Sequence, residues 1–106
     1  MIAIISHAWT ADDGPSADAY AAGVGEFLEF HLDQPGFRGR VVVRSTTDPT
    51  HFTNIRFFDA LEDYERMIHV DGYAERIEAL GRHLRPHELA GKDVVEVVHL
   101  DPPTAP

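Results

Sequence analysis

"HFTNIRFFDALEDYERMIHVDGY", residues His51 to Tyr73, changes its period halfway. The first eight residues alternate as a strand does, with Phe52, Asn54, Arg56 and Phe58 sharing one face. From Asp59 the spacing becomes helical, and Leu61, Tyr64, Met67 and Ile68 form one stripe. Asp59 with Glu62 three residues on gives an Asp-x-x-Glu version of the capping box. Gly72 weakens this helix near its middle, where Asp71 could re-cap a second segment. Tyr73, Ile77, Leu80 and Leu84 then continue the spacing to about Arg85.

Working outward, "RVVVRSTT" (Arg40 to Thr47) is a β-branched strand. "DPT" turns it back, so strands two and three form a hairpin. Pro35-Gly36 in "DQPGFRG" suits the centre of a type II turn. Before that turn, Tyr20, Val24, Phe27, Leu28 and His31 lie at helical spacing. This predicts a helix over Pro15–Leu32, with Pro15 in its first turn and Asp13 or Gly14 as cap. "IAIISHAW" (Ile2 to Trp9) alternates as a first strand. "PHELAGK" is a loop, "DVVEVVHL" (Asp93 to Leu100) a last strand, and residues 101–106 a proline-rich tail expected to be disordered.

The order is βαββαβ, the ferredoxin-like α+β fold: a four-stranded antiparallel sheet with two helices on one face. The expectation is one domain over residues 1–100. The face away from the helices must carry Val, Ile and Phe from strands apolar on both sides, such as Val41–Val43 and Val94–Val98. A patch of that size calls for a partner, and a homodimer packed sheet against sheet is the simplest.

Composition narrows the function classes. A formal charge of −9 over 106 residues, with scattered cations, opposes nucleic-acid backbones and anionic membranes. No stretch is apolar enough to span a bilayer. "MIAIISHAW" lacks the basic start and small-residue cleavage site of a signal peptide, so a cytoplasmic protein is expected. There is no cysteine, which excludes disulfides and thiolate chemistry. Metal spacing such as His-Glu-x-x-His, a Gly-rich phosphate loop and a GxSxG elbow are all missing, so no metal is expected.

"SHAWTADDG" at the end of the first strand, "QPGFRG", and "NIRFFDALEDYERM" followed by "DGYAERI" together resemble the antibiotic-biosynthesis monooxygenase (ABM) domains of the dimeric α/β-barrel superfamily. The resemblance covers residues 1–100. It implies a sheet-to-sheet homodimer with a pocket in each subunit between helices and sheet. It also implies oxidation of an aromatic, polyketide- or quinone-type small molecule by dioxygen with no bound cofactor. A haem-degrading branch of the family uses an asparagine, a tryptophan and a ligating histidine at positions matching His7, Met67 and Ile77. All three differ here, so haem is not expected.

Within that resemblance His7 or a tyrosine is the candidate base, and the unperturbed pKa of a histidine lies near neutrality. Asn54 would hydrogen-bond a substrate oxygen and Arg56 would stabilise a developing enolate or phenolate. Tyr73, just after the glycine break, is the fourth catalytic candidate. Trp9, Tyr20, Phe58 and Met67 are expected to contact the substrate, although aromatic residues at such spacings are commonly core. Gly23 and Gly25 inside one helix suggest close approach to the sheet or space left for a ligand. The rival reading is a non-catalytic dimeric α/β-barrel protein that binds a small ligand or serves in assembly. Which face of strand three lines the pocket decides the role of Asn54.

Overall fold

The computed structural model describes residues 1–86 and 91–102. Its sheet has the strand order β2-β3-β1-β4. Strand β1 is Ile2–Trp9, β2 Phe37–Arg44, β3 His51–Phe58 and β4 Asp93–Glu96, and every pairing is antiparallel. The helices are α1 (Pro15–Glu26), α2 (Leu28–Leu32), α3 (Leu61–Met67) and α4 (Tyr73–Gly81). The architecture is the expected ferredoxin-like α+β fold. Of the expected tail, residues 103–106 lie outside the described residues, as do residues 87–90 of the expected loop.

Several boundaries differ from expectation, each for a local reason. The helix expected over Pro15–Leu32 is interrupted at Phe27. There Arg40 Nη1 donates to the Val24 carbonyl at 2.6 Å, a side chain inserted into the helical ladder just after two glycines. At the start of α1, Gly14 holds the N-cap position. Asp12, two residues earlier, accepts from the backbone N–H of Gly14 and Ser16. The second helix is capped one residue later than expected. Asp63 Oδ2 accepts from the Ala60 N–H, while Asp59 forms a bidentate pair with Arg38.

The break at Gly72 is sharper than a weakened helix. Gly72 itself is the N-cap of α4, in the left-handed region at φ 95°. Helix α4 also ends at Gly81, short of Arg85. Strand β2 begins at Phe37, earlier than expected, with a bulge between Phe37 and Gly39, and it ends at Arg44. Strand β4 stops at Glu96, short of Leu100.

Register decides which side chains meet the helices. Phe52, Asn54, Arg56 and Phe58 pair with Ala8, Ser6, Ile4 and Ile2 respectively. Paired residues stand on the same side of a sheet, and this is the side the helices cover. Phe58, Ile4, Met67, Phe27 and Tyr73 form one core cluster there. Phe52, Ala8, Tyr20 and Val24 form another. The opposite side carries Ile5, His7, Trp9, Val41, Val43 and Ile55, and Val41 and Val43 are each 45% exposed.

Candidate functional site

Between the helices and the sheet lies a cavity of about 140 Å³. The sheet supplies Ser6, Arg40, Asn54 and Arg56; α1 and α2 supply Tyr20 and His31. Tyr73, Ile77 and Leu80 of α4 close it from the other side. Side-chain alternation in β3 explains why Asn54 and Arg56 point here: each is two residues from a buried phenylalanine on the same face. Gly23 lets the two helices approach, since a Cβ on it would come 2.8 Å from Leu80 Cδ2. The close approach is thus to α4 and not to the sheet, while Gly25 has open space around it.

Among the described residues three buried polar atoms lack a hydrogen-bond partner: His31 Nε2, Arg56 Nε and Tyr73 Oη. All three belong to residues lining this one cavity. A buried donor or acceptor left unmade costs about 1–3 kcal/mol, and these three converge on one cavity wall.

His31 has its tautomer fixed. Its Nδ1 lies 3.0 Å from the Phe27 carbonyl oxygen, which can only accept. Nδ1 therefore carries the proton and Nε2 presents a lone pair to the cavity. Burial, then the positive charges of Arg56 and Arg40, push its pKa down to about 4 against the opposing pull of the Phe27 hydrogen bond. The imidazole is neutral near pH 7 and able to accept a proton.

Asn54 Nδ2 donates to Tyr20 Oη at 3.0 Å, orienting the amide. Burial raises the Tyr20 pKa, partly offset by Asn54 and by the charge of Arg56. Arg56 is 7% exposed, and its guanidinium lies 5.2 Å from the Tyr64 ring centroid. Lys92 Nζ donates to Tyr64 Oη at 2.7 Å. Among the described residues no carboxylate lies within ion-pair reach of Arg40, Arg56 or Lys92.

The structure thus gathers Asn54, Arg56, Tyr73 and Tyr20 around one cavity. It separates them from His7 and Trp9, which stand on the opposite side of the sheet because β1 alternates. His7 Nδ1 lies 3.0 Å from His51 Nε2, and Trp9 stacks on His51 at 4.4 Å. Phe58 and Met67, 0% and 1% exposed, are packed in the core away from the cavity wall. Sequence reasoning missed His31, Arg40, Ser6 and Lys92. The signal for His31 was a histidine on an otherwise apolar helical stripe, four residues after Phe27. Among the described residues no cluster of three or more His, Cys, Asp or Glu could hold a metal ion.

No protein-family model matches the chain, and no curated protein matches it. Solved structures share its fold. A protein from Bordetella bronchiseptica, named as a candidate antibiotic biosynthesis monooxygenase, superposes with a TM-score of 0.80 at 15% identity. That match covers 92% of this chain and 97% of the other. SnoaB from Streptomyces nogalater, described as a cofactor-independent oxygenase, has a TM-score of 0.79 at 15% identity, with 96% and 97% covered. A Nitrosomonas europaea protein, also a candidate antibiotic biosynthesis monooxygenase, gives 0.79 at 16% identity, with 93% and 100% covered.

Proposed function

We propose that this chain is a monooxygenase that oxidises a small aromatic or quinol-type molecule with dioxygen and no bound cofactor. The observation that carries the reading is the convergence of a neutral, tautomer-fixed histidine, a buried guanidinium and an unpartnered tyrosine hydroxyl on one cavity. The similarity in fold to SnoaB supports the reaction class.

In this reading His31 Nε2 takes the substrate's acidic proton. Arg56 and the Asn54–Tyr20 pair stabilise the resulting enolate or phenolate. The carbanion passes one electron to dioxygen, and the radical pair combines to a peroxide that takes up the proton. Loss of water leaves the new oxygen on carbon. For an activated methylene on a small aromatic ring the balance is CH2 + O2 → C=O + H2O.

The assembly belongs to the same proposal. The open face carries Val41, Val43 and Ile55 beside His7, His51 and Thr53, and among the described strand residues Asp93 at the edge strand is its one carboxylate. A chain of net charge −9 associates with its own copy most readily through a surface that does not carry that charge. The surroundings of His7 and Trp9 then belong to the dimer contact.

Oxygen uptake with a panel of anthrones and hydroquinones tests the reaction, comparing wild type with His31→Ala and Asn54→Ala. Turnover that both substitutions reduce supports it. Ligand binding without turnover across the panel would replace it with a non-catalytic binding protein.

A further inference from the structure

Arg40 and Arg56 are direct cross-strand partners with no carboxylate beside them among the described residues, an arrangement that is unfavourable in the empty site. Both line the cavity, together with Lys92. Among the described residues none that lines it is Asp or Glu, in a chain with eighteen acidic residues. Positive charge is thus concentrated inside an acidic molecule, and a low-dielectric wall strengthens its field.

Size is the second constraint. At about 140 Å³ the cavity is close to the ~150 Å³ apolar cavity known to hold a benzene molecule. It encloses room for one ring, whereas three fused rings would have to extend out of it.

We propose that the pocket selects a single-ring phenol or hydroquinone bearing a carboxylate, with the carboxylate seated between Arg40 and Arg56 and the acidic proton facing His31 Nε2. This rests on the monooxygenase reading for the chemistry but not for the binding. Burial is the main cause of the weak basicity of His31 and the two arginine charges add to it, so a seated carboxylate offsets the second contribution and leaves the first. For a hydroquinone ring the oxidation balances as C–H + O2 with two O–H giving hydroxyquinone and water.

The test is calorimetric binding of 2,5-dihydroxybenzoate, hydroquinone and a tricyclic anthrone, followed by oxygen uptake with each. Wild type is expected to bind the carboxylate at least tenfold more tightly than hydroquinone, with weakening affinity as salt rises. Arg56→Met and Arg40→Met should each remove that preference, and Arg56→Lys should retain part of it. Equal affinity for hydroquinone and carboxylate, or tighter binding of the anthrone, overturns the proposal even if oxygen is consumed. Selective carboxylate binding with no oxygen uptake upholds the anion site and sinks the monooxygenase reading instead.

Discussion

Arg40 and Arg56 face each other across the β2–β3 ladder on the helix-covered side of the sheet, two guanidinium groups of like charge. Arg40 spends its donors on the broken end of α1, taking the Val24 carbonyl. It lies at the negative end of that helix dipole. Arg56 lies deeper, over Tyr64. Burial, then Arg56, lower the pKa of Arg40, and both arginines act against protonation of His31. Arg40 thus links the break in the first helix to the paired cations, and the two arginines add to the burial that keeps His31 neutral.

If His31 is the base, His31→Gln should lower kcat by about 10²–10⁴-fold, the usual contribution of a positioned general base. The acid limb of wild-type kcat/KM should fall near pH 4, well below the ordinary histidine value, because the free enzyme's His31 is neutral above that. An acid limb near pH 6.5 in wild type, or full activity in His31→Gln, would assign the proton transfer elsewhere.

The same group makes stability depend on pH. Its folded-state pKa of about 4 is depressed from 6.5, so between those values the unfolded chain binds a proton that the folded chain refuses. Stability therefore rises with pH across this window and falls as the solution is acidified from 6.5 towards 4, by at most about 3 kcal/mol. Asp12, Asp48 and Asp59 titrate below their ordinary 3.8, so their contributions are lost only at lower pH. Urea denaturation of wild type and His31→Phe at pH 4.5 and 7 should show a smaller loss in the variant.

Arg56→Met should behave unlike the removal of a paired buried charge. With no carboxylate to strand among the described residues and one like-charge contact relieved, stability should stay within about 1 kcal/mol of wild type or rise. Ligand affinity should fall. A thermal melt showing a loss of several kcal/mol would mean that Arg56 has a structural partner after all.

The order of elements is legible in the sequence because the period changes cleanly at Asp59 and turn residues punctuate the rest. The two-faced character of β3 is legible too, from Asn54 and Arg56 standing between phenylalanines. Its direction is not. A strand's alternation separates His7 from Ser6 but cannot say which of them meets a helix; that depends on β1 pairing Ser6 with Asn54 and His7 with Thr53. His31 escaped because a histidine on an apolar stripe has the same pattern whether or not its second nitrogen finds a partner. The break at Phe27 escaped because its cause, Arg40, lies thirteen residues away on another strand.

Gly36→Ala tests the turn that leads into β2. Gly36 has φ 82°, in the left-handed region, and a Cβ there would collide with the Asp63 carboxylate. That carboxylate caps α3 and pairs with Arg66. The substitution should cost about 1–3 kcal/mol from backbone strain alone, with more if the cap is displaced. A denaturation midpoint unchanged from wild type would show that the turn relaxes without loss.

Val43→Asp tests the assembly, since Val43 is half exposed on the open face and lies outside the cavity wall. Light scattering of the wild type should give the mass of two chains. A carboxylate at position 43 would appear in both copies at a self-complementary contact, where it must be desolvated twice beside its own symmetry mate. The variant should therefore run as a folded monomer with little change in the circular dichroism of the sheet. Monomeric wild type would refute the dimer directly. A dimer surviving both Val43→Asp and Val41→Asp would place the contact on another surface, leaving the apolar face of β1–β3 without its proposed partner.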